Sequence, residues 1–322
     1  MKIFITGGSG FLGSHVAKIL AKSNHEIKIL VNKRQIPIHL KGSNLKIVRG
    51  NLKEKDSFKN ELNNIDLIVH IAGSVKSNNE SYKNNILITK NLSEISVEKK
   101  ISNFIFISTR GTLGISKPIY LSNDKSNNFE NLKYSDSYIQ SKIECEKILK
   151  TNLKSFCKLI ILCPTALIGP DDTEPTPIGL LLKNLINNKI NFFIDGFINL
   201  IDVRDAASII CKIIETKEFG PGKYGFGYKN IKLSELFKNL KLIKKKIILP
   251  YRIPNFIADF IEIFVAIFPF VNSISPFLSR KRIIRLRRGY SCFKNSEEIN
   301  NLNLKQIDFS KTLNDTIVHF NE

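Results

Sequence analysis

A phenol and an ammonium one helical turn apart, Tyr138 and Lys142, are the residues of this 322-residue chain best suited to proton chemistry. At positions i and i+4 they share one face of a helix. A free tyrosine titrates near pH 10, and a lysine charge within a few ångströms favours the phenolate by about one to three units. Tyr138 is therefore expected to act as a proton donor and acceptor near neutral pH. Tyr228 with Lys232 and Tyr290 with Lys294 satisfy the same spacing. Both of those pairs follow glycine-rich turns, whereas Tyr138 opens a sustained helical pattern (Ile139, Ile143, Glu146, Ile148) beyond an apolar strand that ends in Ser108 and Thr109.

A second constellation is the run TGGSGFLG from Thr6 to Gly13, which follows Ile3, Phe4 and Ile5 and precedes the helical pattern of Val16, Ile19 and Leu20. Strand, glycine turn and helix is the order a phosphate site needs. Gly7 can take the positive φ of a tight turn, Gly10 lets backbone approach a pyrophosphate, and Gly13 lets helix and strand meet closely. A dinucleotide diphosphate would sit against the backbone of Gly7, Ser9, Gly10, Phe11, Leu12 and Gly13, at the positive end of the helix. The following strand reads KILVNKR and ends in Asn32, Lys33 and Arg34 with no acid. Lacking a carboxylate for a ribose 2′-hydroxyl and carrying two cations, it favours NADP(H) over NAD(H).

These groups need a scaffold, and the pattern supplies one. Glu26–Val31, Leu45–Val48, Asp66–Ile71, Asn103–Ser108 and Cys157–Cys163 read as strands, with helices over Tyr82–Val97 and Ser137–Leu149 between them. That alternation predicts an α/β fold, a Rossmann-type doubly wound parallel sheet with a smaller C-terminal substrate-binding lobe. Residues 1–163 form the expected dinucleotide-binding domain and 164–322 mainly the lobe. The strand-to-helix segment from Ile198 to Ile214 is expected to rejoin the first domain, over about 198–228.

With 43% hydrophobic residues, the chain can bury a full core. Five cysteines without a CxxC pair and five histidines without ligand spacing point to reduced thiols, no structural metal and a cytoplasmic location. No signal-peptide pattern precedes the first strand, and the greasy stretch Ile253–Val271 is interrupted by Pro254, Asp259, Glu262 and Pro269, so it makes a poor membrane span. The net charge of +20 comes mostly from lysine spread along the chain, without a nucleic-acid motif, so no nucleic-acid partner is expected.

YIQSKIECEK, from Tyr138, resembles the YxxSKxxxE helix of the extended short-chain dehydrogenase/reductase superfamily, the NAD-dependent epimerase/dehydratase family. Resemblance makes Tyr138 the acid/base and gives Lys142 the nicotinamide ribose as well. Thr109 aligns with the hydroxyl that holds the substrate oxygen, a threonine as in sugar 4,6-dehydratases, with Ser108 as the alternative. VHIAG is similar to the strand end along the cofactor, which implicates Ile71, Ala72 and Gly73, and YKNNILITKNL resembles the helix carrying the family's asparagine, here Asn85. In RGNL, Asn51 and Leu52 stand where the family reaches the adenine. CPTALIGPDD resembles a segment whose proline and following backbone, here Pro164 and Thr165, face the nicotinamide, although Cys163 replaces the usual arginine.

The C-terminal pattern looks closest to the dihydroflavonol reductase and 3β-hydroxysteroid dehydrogenase branch. What this implies is hydride exchange with a secondary alcohol or ketone on a small or lipid-like substrate. The alternatives are a nucleotide-sugar epimerase or dehydratase that retains NAD, and a non-catalytic dinucleotide-binding regulator. The resemblance also leaves room for a homodimer through the tyrosine helix. Half of the ten arginines fall in SRKRIIRLRR, Arg280 to Arg288, after a helical apolar pattern of Phe256, Ile257, Phe260, Ile261, Phe264 and Phe268. That cluster reads as a phosphate grip for the substrate, as a basic and greasy surface for peripheral contact with an anionic membrane, or as a solvated face.

Overall fold

Short strands too apolar to face water on either side require helices on both faces, and the chain supplies them in alternation. In the computed structural model, which describes residues 1–32, 35–37, 40, 45–114, 135–154, 156–216, 219–267, 280–287 and 291–321 without the side chains of Ala266 and Arg282, the first half runs β1 (Lys2–Thr6), α1 (Phe11–Leu20), β2 (Glu26–Val31), β3 (Lys46–Arg49), β4 (Leu67–His70), α2 (Asn79–Glu98), β5 (Asn103–Ile107), α3 (Ser137–Leu153) and β6 (Lys158–Pro164). The second half continues with β7 (Ala166–Ile168), α4 (Pro177–Ile186), β8 (Phe192–Phe193), β9 (Phe197–Asp202), α5 (Val203–Glu215), β10 (Gly222–Phe226), β11 (Lys229–Lys232) and α6 (Leu233–Ile243). It ends with β12 (Tyr251–Arg252), α7 (Asn255–Ile267), α8 (Arg280–Arg287), α9 (Glu297–Asn300) and α10 (Phe309–Asn321).

Seven parallel strands form the main sheet in the order β10-β6-β5-β4-β1-β2-β3. This is the doubly wound Rossmann arrangement, in which strand order reverses between β1 and β4. Side chains of β1 divide between the faces as pleating requires. Ile3 and Ile5 join the core under α1 and α5, and Phe4 joins the core under α2 and α3. Helix α2 begins earlier than its apolar pattern suggests because Asn78 caps it, accepting a hydrogen bond from the Ser81 amide.

A third apolar cluster, with Leu182, Leu200, Phe237 and Ile317, joins α4, α6 and α10 to a small sheet ordered β11-β9-β7. The stretch from Ile198 thus differs from expectation in part. Strand β9 belongs to the small sheet, α5 lies in the core with α1, and β10 adds to the main sheet beside β6.

At the crevice between β1 and β4 the backbone closes very tightly. Gly7 has φ +75°, and a Cβ there would lie 2.6 Å from the Ala72 amide nitrogen; a Cβ on Gly13 would lie 2.1 Å from the Gly7 carbonyl oxygen. Backbone cannot yield as a side chain can. Gly13→Ala is expected to destabilise the fold by about 3 kcal/mol, at the upper end of ordinary overpacking costs, measured by urea unfolding.

Candidate active site

The expected catalytic trio meets at the carboxyl edge of the sheet, where a doubly wound fold places its ligands. Asp136 caps α3 through the Ile139 amide, so the helix starts at Ser137 and Tyr138 lies in its first turn. Thr109 follows β5 in extended backbone and caps the 3₁₀ turn Arg110–Leu113. Its hydroxyl accepts from the Gly111 amide at 3.4 Å and lies near enough to the Tyr138 phenol to act on its titration. Lys142 is 4% exposed, donates to the Ile107 carbonyl at 2.8 Å and lies 4.7 Å from the Phe106 ring centroid.

The electrostatics of this trio differ from the sequence expectation. Burial raises the Tyr138 phenol above its ordinary range, the nearby Thr109 hydroxyl opposes the rise, and the Asp136 charge adds to it. The Lys142 ammonium is turned to the Ile107 carbonyl and the Phe106 ring face, and burial lowers the lysine. Tyr138 is a neutral phenol at pH 7.

Ser108, the alternative to Thr109, points elsewhere. Its hydroxyl donates to Glu146 in the core, where Glu146 also pairs with Lys223 at 2.7 Å. Lys223 donates in turn to the Thr112 carbonyl. Sequence reading did not single out Lys223, because nothing in its neighbourhood marks the long-range pair.

Around Lys142, Gly73 and Asn85, both expected on the cofactor side, come together. Gly73 leaves room for the ammonium, since a Cβ there would lie 3.3 Å from Lys142 Nζ and from Asn85 Oδ1. Asn85 receives the Ser74 amide and donates to the Ser74 carbonyl and the Ser141 hydroxyl, so it shapes the loop after β4 and spends its own amide doing so. Ile71 leans on the first core cluster. Beneath lies a chain that sequence analysis missed: the Ala72 amide donates to Thr6 Oγ1, which lies 2.7 Å from His70 Nδ1, while His70 Nε2 lies 3.1 Å from Thr89 Oγ1. The Thr89 hydroxyl donates to the Asn85 carbonyl. This direction of donors makes His70 the neutral Nε2–H tautomer.

A dinucleotide fits the remaining geometry. No side chain caps α1 at Gly10 and no acid lies in its first turn, leaving the amides around Ser9, Phe11 and Leu12 to a phosphate. Pro164 ends β6, and the next residue, Thr165, has a buried hydroxyl without a hydrogen-bond partner among the described residues. Asn51 is less available than expected, because its Oδ1 accepts from Lys53 and its Nδ2 donates to Glu54; Leu52 leans on the second core cluster. Asn32 closes β2, with Lys33 and Arg34 outside the described residues. Arg49, overlooked in the sequence, donates to the Asn32 carbonyl at 3.1 Å and adds a cation there.

The arginine cluster departs from the phosphate-grip expectation at two of its members. Arg285 pairs with Asp136, and Arg287 with Asp259 and Glu262, so both forks are spent on carboxylates of the protein. Arg288, Tyr290 and Phe268 lie outside the described residues.

Fold and site together define a nicotinamide-dinucleotide protein of the extended short-chain type. The chain belongs to the NAD dependent epimerase/dehydratase family, whose model matches residues 3–226. A Synechocystis sp. protein provisionally named a dihydroflavonol 4-reductase is 26% identical over 247 residues, 74% of this chain and 71% of that one. A Dictyostelium discoideum dTDP-D-glucose 4,6-dehydratase is 32% identical over 213 residues, 58% of this chain and 49% of that one. Among solved structures, that of gox2253 has a TM-score of 0.82 at 21% identity, covering 99% of this chain and 97% of its own, a likeness of fold. The family's members are NAD-dependent enzymes. Among the described residues, no helix is long and apolar enough to cross a membrane, and no cluster of ligands could hold a metal ion.

Burial, with a smaller contribution from the Lys142 charge, lowers His70 to about 3. Protonation would put two donors on a ring whose Nδ1 needs an acceptor's place. An unfolded histidine titrates near 6.5, so this stability is fully present above that pH and lost as pH falls toward 3, by up to about 1.4 kcal/mol per pH unit. Thermal melts from pH 7 to 4 are expected to show His70→Gln less acid-sensitive than the parent; parallel curves would deny His70 that role.

Proposed function

We infer that the protein is an NAD(P)-dependent oxidoreductase that reduces a ketone, or oxidises the matching secondary alcohol, on a small or lipid-like substrate. The observation that carries this reading is the nearness of the Thr109 hydroxyl to the Tyr138 phenol, beside the buried Lys142. Two hydroxyls from different elements aimed at one point can hold a substrate oxygen between them. The nicotinamide, when bound, supplies or accepts the hydride. Thr109 holds the oxygen, and the neutral Tyr138 phenol donates its proton as negative charge develops there, which suits the reductive direction at pH 7. Lys142 offers its ammonium to the cofactor ribose, and the amides at the start of α1 hold the diphosphate. Similarity to the dihydroflavonol reductase supports the substrate class.

A second reading, a nucleotide-sugar dehydratase or epimerase with retained NAD, is supported by similarity to the 4,6-dehydratase. Cofactor behaviour separates the two. Stoichiometric consumption of NADPH in the presence of a ketone supports the reductase, while tightly held NAD without net turnover supports the second reading.

Tyr138→Phe is expected to bind cofactor normally and lose turnover by 10²- to 10⁴-fold, the usual contribution of acid/base catalysis. Retention of more than about a tenth of the activity would remove Tyr138 from the role.

NADPH is expected to bind more tightly than NADH, on the strength of Lys33, Arg34 and Arg49 around the end of β2 and the absence of an acid there. Calorimetric titration should show Arg34→Ala and Arg49→Ala narrowing the gap. Preference of the unaltered protein for NADH would reverse this assignment.

A further inference from the structure

Helix α7 buries its small side and presents its large side to solvent. Ala258 and Val265 are almost fully covered, at 1% and 2% exposure, whereas Phe256, Phe260, Ile263 and Ile267 are 73%, 69%, 58% and 65% exposed. Positions 256, 260, 263 and 267 follow one another at helical spacing and so form a single stripe. The acids of the helix are not part of that stripe: Asp259 and Glu262 are both held by Arg287 from α8. An outward stripe of this size is uncommon on an isolated soluble protein and marks a surface that meets something.

The charge around it says what. Between Glu235 and Glu297 the chain has thirteen lysines and arginines and no acid except Asp259 and Glu262. The approach to α7 alternates exposed cations with exposed apolar groups: Lys245 and Lys246 with Ile248 and Tyr251, the Tyr251 ring lying 6.1 Å from exposed Phe192, while Arg252 lies 3.6 Å from Asp195. After Glu262 the sequence has no charged residue until Arg280, and Arg280 and Lys281 are exposed. Apolar groups bordered by cations are complementary to a surface with anionic headgroups over an acyl interior.

We propose that α7 and the segment leading into it dock the protein on an anionic lipid bilayer. Phe256, Phe260, Ile263 and Ile267 enter the headgroup boundary while Lys245 and Lys246 pair with lipid phosphates. The same docked region reaches the catalytic helix. Arg285 of α8 pairs with Asp136, the cap of α3, and Lys281 donates to the Ser135 carbonyl, so docking places Tyr138 close to the membrane side of the molecule. The docking stands independently of the reaction proposed above.

The test is co-sedimentation of the full chain with vesicles of phosphatidylcholine alone and of phosphatidylcholine with phosphatidylglycerol, which needs no substrate. Two variants accompany it: Phe256→Ser/Phe260→Ser/Ile263→Ser, and Lys245→Glu/Lys246→Glu. All five side chains are exposed, so thermal melts should match those of the parent protein and certify folding. The unaltered protein is expected to pellet with the anionic vesicles only, and each variant to show at least a tenfold lower partition. A parent protein that stays in the supernatant, or either variant pelleting as fully as the parent, overturns the proposal. So does sedimentation equilibrium showing a dimer that the serine variant dissociates while vesicles capture neither, because the stripe would then belong to a second copy.

Discussion

An ammonium buried at the carboxyl edge of the sheet constrains everything around it. Removing Lys142 from water costs several kcal/mol unless its surroundings compensate, and they do so from three elements. The Ile107 carbonyl at the end of β5 accepts a hydrogen bond from it, the Phe106 ring face lies below it, Gly73 after β4 leaves it room, and Asn85 from α2 holds the loop that contains Gly73. Tyr138 is one turn earlier on the same helix. Any shift of α3 along the sheet would therefore move Tyr138 and strand the ammonium together.

A second buried polar group locks the other end of that helix face. Glu146 receives the Ser108 hydroxyl and pairs with Lys223 from β10, which also reaches the Thr112 carbonyl. Breaking such a pair by removing one partner is far more costly than the pair is stabilising, because the remaining charge stays buried. The consequence for the site is orientation. With Ser108 drawn inward, its neighbour Thr109 faces outward to Tyr138, as alternation along an extended strand requires. The late strand β10 thus supports a site built mostly by the first half of the chain.

Helix α8 meets α3 through an ion pair of similar kind. Arg285 pairs with Asp136, whose other oxygen caps α3. Arg287, beside it, ties α8 to the acids of α7. The arginines concentrated there serve first as fasteners, since a planar fork can hold a carboxylate while its stem lies along apolar surface. What α7 then has left to show to solvent is its phenylalanines and isoleucines.

Local sequence determined the elements and their order, because strand, glycine turn and helix each follow from spacing that neighbouring residues impose. Apolar runs placed five of the seven strands of the main sheet to within a residue at either end, and the pairing of Tyr138 with Lys142 on one helix face follows from 3.6 residues per turn. The meeting of Tyr138 with a hydroxyl from the end of β5 was expected from resemblance, but which hydroxyl depended on Glu146 drawing Ser108 away. Only the tertiary structure decided the direction in which Lys142 acts, since a charge's effect depends on where its hydrogen bonds go. The Thr6–His70–Thr89 chain, Arg49 beside Asn32, and Lys223 against Glu146 were illegible for the same reason. Each joins residues far apart along the chain, and nothing in a local pattern records which distant partner a buried polar group will find.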